Sequence, residues 1–360
     1  MEYTSNTHQI LDLIASIPPL DENAMQAARA RQQILTKPAG SLGRLEDLAI
    51  QVAGITGQSL PTVERKAVIV MAGDHGVTAE GVSAYPSAVT VQMVYNFLRG
   101  GAAINVLARQ AGARVAIVDI GVAGAIEHPE LIARKVMPGT ANMATGAAMT
   151  REQALTAIQV GIDVLNTQVE QGLDLVATGD MGIGNTTASS ALTAALLGIP
   201  AAQVTGRGTG LDDAQLSHKV QVIERALALN VPDPNDPLDV LAKVGGLEIA
   251  GLVGVILAAA ARRIPIVIDG FISGAAALVV ARLSPTAVRY FIASHTSVEQ
   301  GHQYILQELG LTPLLHLNLR LGEGTGAALA MHLVEAAVRT HREMATFTEA
   351  GVSTREDEAQ

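Results

Sequence analysis

The chain has 360 residues, of which 49% are hydrophobic and only 2% are aromatic, and it carries a formal net charge of -10. Such a length favours one large α/β domain, alone or with a smaller appendage, and the acidic balance argues against nucleic acid as a partner. The absence of cysteine excludes disulfides, thiolate metal sites and a cysteine nucleophile.

The amino-terminal segment has no features of a targeting signal. It mixes acidic residues with a short apolar stretch, and it contains neither a basic region nor a small-residue cleavage site. We therefore expect a cytoplasmic protein.

Helices are predicted at both ends of the chain. Helical patterns run from Ala24 to Thr36 and from Leu42 to Thr56, and another runs from Thr325 to Met344. We expect these ends to pack together as a small helical domain, residues 1–65 plus 325–360, beside a large α/β domain, residues 66–324.

Six short β-rich runs lie between these ends. They are Ala67–Met71, Val115–Ile120, Leu173–Ala177, Ile264–Ile268, Tyr290–Ala293 and Leu314–Leu319. Each is nearly continuous in apolar residues, which is typical of strands buried on both faces. Ala-rich segments between them are long enough for crossover helices, for example Ala88–Ala111, Thr150–Gln171 and Ala275–Leu283. The sequence therefore predicts an α/β fold with a parallel, doubly wound sheet of about six strands.

One further apolar run, Ile249–Ala261, resembles a membrane segment in composition. It is shorter than the roughly 20 apolar residues that a bilayer span needs, and Arg262 and Arg263 end it. We therefore predict a buried helix here and no membrane association.

Glycines and polar residues follow all six β-rich runs. These groups are Gly73-Asp74-His75, Gly121, Gly179–Gly182, Asp269-Gly270, Ser294–Thr296 and Gly322–Gly324. In open α/β sheets, ligands bind at the carboxyl ends of the strands, because loops and helix N-termini converge there. The sequence thus predicts an active-site rim at this edge.

The stretch Gly179–Thr187, GDMGIGNTT, joins a predicted strand to an Ala- and Ser-rich helix. Its glycines can bring backbone N–H groups to an anion at the start of the helix, which favours phosphate binding. A plain tight turn with a helix cap is the alternative, since the spacing matches neither the dinucleotide nor the Walker A motif. Lys219, which follows a glycine-rich stretch containing Gly208, could add charge to the same phosphate or could simply be solvated.

Two acids on the predicted rim are candidates for catalysis. Glu323 lies between glycines in Gly322–Gly326, where the backbone can turn sharply and a substrate can approach closely. It is therefore a candidate general base, with an exposed turn acid as the alternative. Asp180 could orient the reaction partner, or it could cap the helix that follows.

The histidines and the remaining acids do not predict a metal site. His75 and His295 lack any accompanying ligand spacing, so hydrogen-bonded structural roles are favoured for both. The pair Asp212-Asp213 resembles the acidic pair of diphosphate-sugar transferases, but no β-rich run leads into it. We therefore infer neither a bound metal nor a magnesium–diphosphate substrate.

Taken together, these motifs resemble one family, the nicotinate-nucleotide:dimethylbenzimidazole phosphoribosyltransferases. The matching stretches span the chain in order: KPAGSLGRLEDLA (37–49), MAGDHGVTAEGVSAYP (71–86), GDMGIGNTTAS (179–189), DGFISGAAAL (269–278), LRLGEGTGAALA (319–330) and MATFTEAGV (344–352). The resemblance implies a homodimer with a Rossmann-like sheet and a small helical domain. It also implies transfer of 5-phosphoribose from nicotinate mononucleotide to 5,6-dimethylbenzimidazole, in cobalamin nucleotide-loop assembly, without a metal or organic cofactor.

The resemblance also implies roles for individual residues. Glu323 matches the family's catalytic base, and apolar neighbours such as Leu321 are expected to desolvate it. Asp180 lies at a position where we would also expect glutamate in relatives. Because aspartate is the shorter side chain, it is open whether Asp180 reaches the reacting groups. The remaining roles are: Tyr85 and Gln92 in the dimethylbenzimidazole pocket, Gly182, Gly184, Asn185, Gly208 and Lys219 around the phosphate, and Thr296 and Ser297 at the nicotinate end.

Two alternatives remain open from the sequence. The same transfer could be made to another azole, a purine or a phenol, because the shape of the pocket sets the choice of acceptor. A non-catalytic nucleotide sensor could use the same glycine loop.

Overall fold

The computed structural model describes residues 2–208 and 210–353, and within them the strands form one parallel six-stranded sheet. The strands are β1 Lys66–Gly73, β2 Ala113–Gly121, β3 Ile132–Ala133, β4 Leu175–Met181, β5 Ile266–Ile268 and β6 Phe291–Ala293. Their order across the sheet is β3-β2-β1-β4-β5-β6, and every neighbouring pair is parallel. The strand order reverses between β1 and β4, which is where ligands bind in such sheets.

Helices cover both faces of the sheet. Their bounds are α1 Glu2–Ser16, α2 Glu22–Ile34, α3 Arg44–Thr56, α4 Ala88–Leu98, α5 Ala103–Ala111, α6 Arg151–Glu170, α7 Asn185–Leu197, α8 Ala201–Val204, α9 Asp213–Asn230, α10 Pro237–Val244, α11 Leu247–Ala261, α12 Phe271–Leu283, α13 Gln300–Glu308, α14 Thr325–Glu343 and α15 Phe347–Ala350. Ile69 and Met71 of β1 pack on the α6, α11 and α12 side, whereas Val68 and Val70 pack on the α3, α5 and α14 side. The predicted doubly wound α/β fold is therefore confirmed.

Glycines let helices α6 and α11 approach each other until their backbones are in contact. An added Cβ on Gly161 of α6 would lie 1.9 Å from the carbonyl oxygen of Gly251 in α11, and one on Gly254 would lie 1.9 Å from that of Ile158. This contact explains how a chain almost without aromatic residues builds a dense interior. Helix α11 is buried from Leu247 to Ala260, as predicted, and no described helix is long and apolar enough to cross a membrane.

The sequence prediction was wrong for one strand and one helix. Residues 314–319 form no strand, and only Leu315 makes an isolated bridge, to His295. Asn318 has a φ of +54°, which breaks the extended conformation, and the sixth strand is instead the short edge strand β3. The predicted helix 88–111 is two helices, because Gly100 adopts a φ of +75° between α4 and α5.

Helices from both ends of the chain contact each other. Helix α14 packs against α2 and α3, and it also covers β4 and β5. The Arg31 guanidinium donates to the carbonyl oxygens of His341 and Arg342 at the end of α14. These contacts support the proposal of a helical domain made of residues 1–65 and 325–360, of which residues 1 and 354–360 lie outside the described residues.

Candidate active site

A cleft of about 340 Å³ opens at the carboxyl edge of the sheet. The loops after β4, β5 and β6 line it, together with Tyr85 and the segment that precedes α14. The lining residues are Tyr85, Asp180, Met181, Gly182, Ile183, Asn185, Thr186, Gly208, Gly270, Phe271, Ile272, His295, Ser297, Glu299, Arg320, Leu321 and Gly322. Residues of four of the six predicted strand-end groups thus line the cleft. They are Asp180–Gly182, Gly270, His295 and Gly322.

The glycine loop after β4 is packed tightly against the loop after β1. An added Cβ on Gly182 would lie 2.3 Å from the carbonyl oxygen of Gly73, and Gly184 has a φ of +95°. Gly184 is also the N-cap of α7, and no side chain caps this helix. The start of α7 therefore faces the cleft with the positive end of its dipole, an arrangement that attracts anions.

Lys219 of α9 brings a buried cation to the same helix start. Its Nζ donates to Thr186 Oγ1 at 2.8 Å and to the Gly206 carbonyl oxygen at 3.4 Å, and the side chain is fully buried. Burial lowers the pKa of Lys219 to about 8, although the negative charge of Glu299 opposes this. Gly182, Asn185 and Gly208 line the cleft beside it, whereas Gly184 does not.

Glu323 lies in a turn of three successive left-handed residues. The φ angles are +80° for Gly322, +62° for Glu323 and +91° for Gly324. Glu323 is buried, and its Oε2 accepts a hydrogen bond from the Ile104 N–H at the start of α5, at 3.2 Å. The cleft is lined by Gly322 rather than by the Glu323 side chain.

Burial raises the pKa of Glu323, and the negative charge of Asp269 raises it further, while the hydrogen bond from Ile104 opposes the shift. The predicted desolvation of Glu323 is present, although Leu321 is itself 58% exposed. The Ile104 N–H at the start of α5 lies against the carboxyl group. A raised pKa increases the affinity of a carboxylate for a proton, which suits a base.

Asp180 is a second buried acid, and it lines the cleft directly. Its Oδ2 accepts from Asn185 Nδ2 at 3.0 Å, so Asp180 bonds to a side chain and does not cap α7. Burial raises the pKa of Asp180 well above its usual value, and the charges of Asp269, Glu248 and Glu323 add to this. The neutral form of Asp180 is thereby favoured.

The residues assigned to the two ring pockets are not all brought together. Tyr85 and Ser297 line the cleft, and Ser297 is buried with its N–H donating to His302. Gln92 is exposed on α4 and does not line the cleft. Thr296 also lies outside the lining, where its hydroxyl pairs with His316 Nδ1 at 3.0 Å.

The histidines and the Asp212-Asp213 pair have local partners. His75 Nε2 lies 2.6 Å from Glu248 Oε1 in a buried pair, and His295 Nδ1 lies 2.9 Å from Ser294 Oγ. Asp212 caps α9, while Asp213 pairs with Arg207. No group of three or more His, Cys, Asp or Glu side chains within the described residues could hold a metal ion.

Sequence reasoning missed two charged residues of the cleft, Glu299 and Arg320. Arg320 donates to the Gly208 carbonyl oxygen at 3.2 Å, and Glu299 is buried beside Gly206. Arg320 directly precedes the Leu321-Gly322 segment, a position that could have indicated it. No local pattern indicates Glu299.

The parallel sheet, with its cleft at the switch point, defines a Rossmann-like α/β protein. The profile of the phosphoribosyltransferase family matches residues 17–352. A nicotinate-nucleotide–dimethylbenzimidazole phosphoribosyltransferase of Chloroflexus aggregans is 62% identical over 345 residues, which cover 96% of this chain and 98% of the relative. The enzyme of the same name from Desulforudis audaxviator is 61% identical over 94% of this chain and 97% of its own length.

Solved structures show the same relationship. The crystal structure of nicotinate-nucleotide–dimethylbenzimidazole phosphoribosyltransferase from Thermus thermophilus aligns with a TM-score of 0.88 at 49% identity, covering 93% of this chain and 100% of that one. The chain therefore belongs to the family of nicotinate-nucleotide–dimethylbenzimidazole phosphoribosyltransferases and is a pentosyltransferase enzyme.

Proposed function

We propose that the enzyme transfers 5-phosphoribose from nicotinate mononucleotide to 5,6-dimethylbenzimidazole, giving α-ribazole 5'-phosphate and nicotinate for cobalamin nucleotide-loop assembly. The observation that carries the proposal is a single cleft at the switch point of the sheet. It is lined both by the anion-binding loop at Gly182 and by Gly322, the neighbour of Glu323. The names and the near-complete coverage of the relatives support the choice of substrates.

The phosphate of the donor binds at the start of α7. Gly182, Asn185 and Gly208 line the cleft there, and the buried Lys219 ammonium supplies the charge from behind Thr186. A charge-assisted hydrogen bond of this kind contributes about 1.5 to 3 kcal/mol. Gly184 acts at a distance from the cleft, by allowing the tight turn that begins the helix.

Glu323 takes the proton from the acceptor. Neutral dimethylbenzimidazole attacks C1' with its lone-pair nitrogen, and its N–H becomes acidic as positive charge develops on the ring. The raised pKa of Glu323 suits acceptance of this proton. The pyridinium ring of the donor leaves as the uncharged pyridine ring of nicotinate, so the leaving group needs no added positive charge.

Asp180 orients the reacting groups as a neutral acid. Its position beside Asn185 in the cleft and the raised pKa allow it to donate a hydrogen bond to the donor's ribose or to the acceptor. Inversion at C1' requires the acceptor and the leaving group on opposite faces of the ribose, as in inverting glycosyl transfer.

The ring pockets lie at two sides of the cleft in this proposal. Tyr85 and Gln92 bind dimethylbenzimidazole, with Gln92 requiring a movement of its exposed side chain, and Ser297 and Thr296 bind the nicotinate end. Tyr85 and Ser297 line the cleft, which supports these two assignments more directly than the other two.

Turnover with a panel of bases tests the proposal. The purified protein is incubated with nicotinate mononucleotide and with dimethylbenzimidazole, other azoles, purines or phenols, and nicotinate release is followed. The greatest kcat/KM is expected with dimethylbenzimidazole. A greater value with another base would change the acceptor, and absence of turnover with every base would favour a nucleotide sensor.

We further propose a cytoplasmic homodimer. Large apolar side chains are exposed at and near the cleft: Tyr85 is 55% exposed, Val298 51%, Leu317 52% and Leu321 58%. Contact with a second copy would remove this apolar surface from water. Light scattering coupled to gel filtration tests it, and a mass near 37.3 kDa, that of one chain, would contradict the dimer.

A further inference from the structure

Asp269 is a buried acid at the end of β5 that the proposed mechanism does not use. Its Oδ1 accepts from the Ala327 N–H at 2.9 Å, and its Oδ2 accepts from the Gly324 N–H at 3.3 Å. Both N–H groups belong to the start of α14, which has no cap from its own N-cap residue, Gly324. A side chain from another strand thus satisfies the beginning of this helix.

The capped helix start is continuous with the turn that carries Glu323. Gly324 directly follows Glu323, and both residues are left-handed, with φ angles of +91° and +62°. A residue other than glycine rarely adopts this conformation unless its surroundings hold it there. The bond from Gly324 to Asp269 therefore restrains the peptide that sets the direction of the Glu323 side chain.

Asp269 is itself fixed from both neighbouring strands. Its N–H donates to Thr178 Oγ1 of β4 at 3.2 Å, and its carbonyl oxygen accepts from Ser294 Oγ, just after β6, at 3.0 Å. His295 Nδ1 lies 3.9 Å from Oδ1. The backbone of Asp269 is therefore held between β4 and the end of β6, and its carboxylate extends from this fixed position to the Glu323 turn.

We propose that Asp269 is a positioning residue of the transfer reaction: its carboxylate binds the N–H groups of Gly324 and Ala327 and so holds Glu323 in the orientation needed to take the acceptor's proton. The proposal rests on the role of Glu323 as the base. The negative charge of Asp269 also raises the pKa of Glu323, so one side chain both orients the base and increases its proton affinity.

The Asp269→Asn variant tests the proposal, because an amide keeps the shape but can accept only one of the two hydrogen bonds with its single oxygen. We expect kcat to fall roughly 10- to 100-fold, the effect of losing one hydrogen bond to a charged group, with the KM for nicotinate mononucleotide changed less than about 2-fold. Asp119→Asn is the matched control. Asp119 is also a buried strand-end acid, bonded to the Val122 N–H and paired with Lys135, and its variant should keep kcat.

Combination with Glu323→Gln separates positioning from general damage. If Asp269 acts through Glu323, the double variant has the same kcat as Glu323→Gln alone, because the oriented base is already absent. If the two losses multiply, Asp269 acts independently and the proposal is overturned. If Glu323→Gln alone keeps wild-type turnover, Glu323 is not the base. This result differs from multiplied losses, so failure of the proposed base and failure of the Asp269 proposal can be distinguished.

The pH profile provides a second readout that a purely structural role would not change. The acids that face Glu323 are Asp180 and Asp269, and burial raises the pKa of Asp269 as well. Where Asp269 is ionised, loss of its charge should move the acid limb of kcat to lower pH. An acid limb at an unchanged pH would contradict the proposal.

If Asp269→Asn does not fold, Ser294→Ala removes the bond to the Asp269 carbonyl. This variant should lower kcat only when Glu323 is present, and an equal loss in the wild-type and Glu323→Gln backgrounds would overturn the proposal.

Discussion

The environment of Glu323 combines three effects on one carboxyl group. Burial and the Asp269 charge raise its pKa above the ordinary value of 4.5, while the Ile104 N–H bond opposes this. In the proposed reaction Glu323 acts in its base form, so turnover should be present above the raised pKa and be lost as the pH falls through it. A carboxyl group in this state can accept a proton closer to neutral pH than an exposed glutamate.

Replacement of Glu323 by glutamine tests this role. We expect kcat to fall about 100- to 10,000-fold, the usual contribution of general-base catalysis, because the amide cannot take the acceptor's proton. The KM for both substrates should change little. Steady-state kinetics beside Glu343→Gln, an exposed acid at the end of α14, provide the control, and near-normal turnover of Glu323→Gln would exclude the base role.

The pH dependence expected from Lys219 is opposite to that expected from Glu323. Its pKa is lowered to about 8, and in the proposed reaction only the protonated form attracts the donor phosphate. The kcat/KM for nicotinate mononucleotide should therefore fall as the pH rises above about 8. Lys219→Ala should raise that KM roughly 10- to 100-fold, through loss of about 1.5 to 3 kcal/mol. Lys219→Met controls for the cavity, Lys243→Met serves as a surface control, and an unchanged KM would count against phosphate binding.

Local sequence indicated site residues that lie in glycine-rich loops, because glycines at the end of a strand allow the tight turns that bring backbone and polar side chains to a ligand. Asp180 and Asn185 were predicted from such a loop and Gly208 from the family resemblance, and all three line the candidate cleft. Glu299 was missed, because its approach to Gly206 joins residues that are distant in the chain. The exposure of Gln92 on α4 likewise depends on how that helix packs.

At the level of helices and strands, apolar runs predicted the buried sheet, since parallel strands are covered on both faces. The run 314–319 misled because four of its six residues are leucines, which suggested a buried strand, whereas Leu317 is 52% exposed. A single left-handed residue, Asn318, decides the conformation there. The left-handed conformation of Asn318 depends on tertiary contacts, which the apolar pattern of the sequence does not reveal.

The contact between α6 and α11 provides a stability prediction. Alanine usually stabilises a helix relative to glycine by about 1 kcal/mol, but a Cβ on Gly161 would lie 1.9 Å from the Gly251 carbonyl oxygen. We expect Gly161→Ala to lower the free energy of unfolding by roughly 1 to 3 kcal/mol, as overpacking does. Gly146→Ala, where nothing lies within 4 Å of the added Cβ, should change it by less than about 0.5 kcal/mol. Urea denaturation compares the two, and equal stabilities would contradict the close packing.

For the molecule as a whole, the strand order places four buried acids near one edge of the sheet. Asp180 lies near the end of β4, Asp269 follows β5, and the Glu323 backbone lies against Gly179 of β4. Glu248 lies in the first turn of α11 beside His75. Like charges in one buried region disfavour simultaneous ionisation, which adds to the effect of burial in raising the pKa of Asp180. Sequence reasoning placed Asp180 and Glu323 on one rim from the strand ends, but their electrostatic coupling to Asp269 and Glu248 follows only from the three-dimensional arrangement.

Turnover should not depend on a divalent metal. In the proposed reaction a pyridinium leaves as an uncharged ring, so no added cation is needed to stabilise the leaving group, unlike in a diphosphate-sugar transferase. Asp212 caps α9 and Asp213 pairs with Arg207, which leaves this acidic pair occupied. We therefore expect treatment with a strong chelator, followed by exchange into metal-free buffer, to leave nicotinate release unchanged with or without added magnesium. Loss of activity on chelation and its return with magnesium would overturn the proposed donor, and alanine variants of Asp212 and Asp213 would then show whether that pair holds the metal.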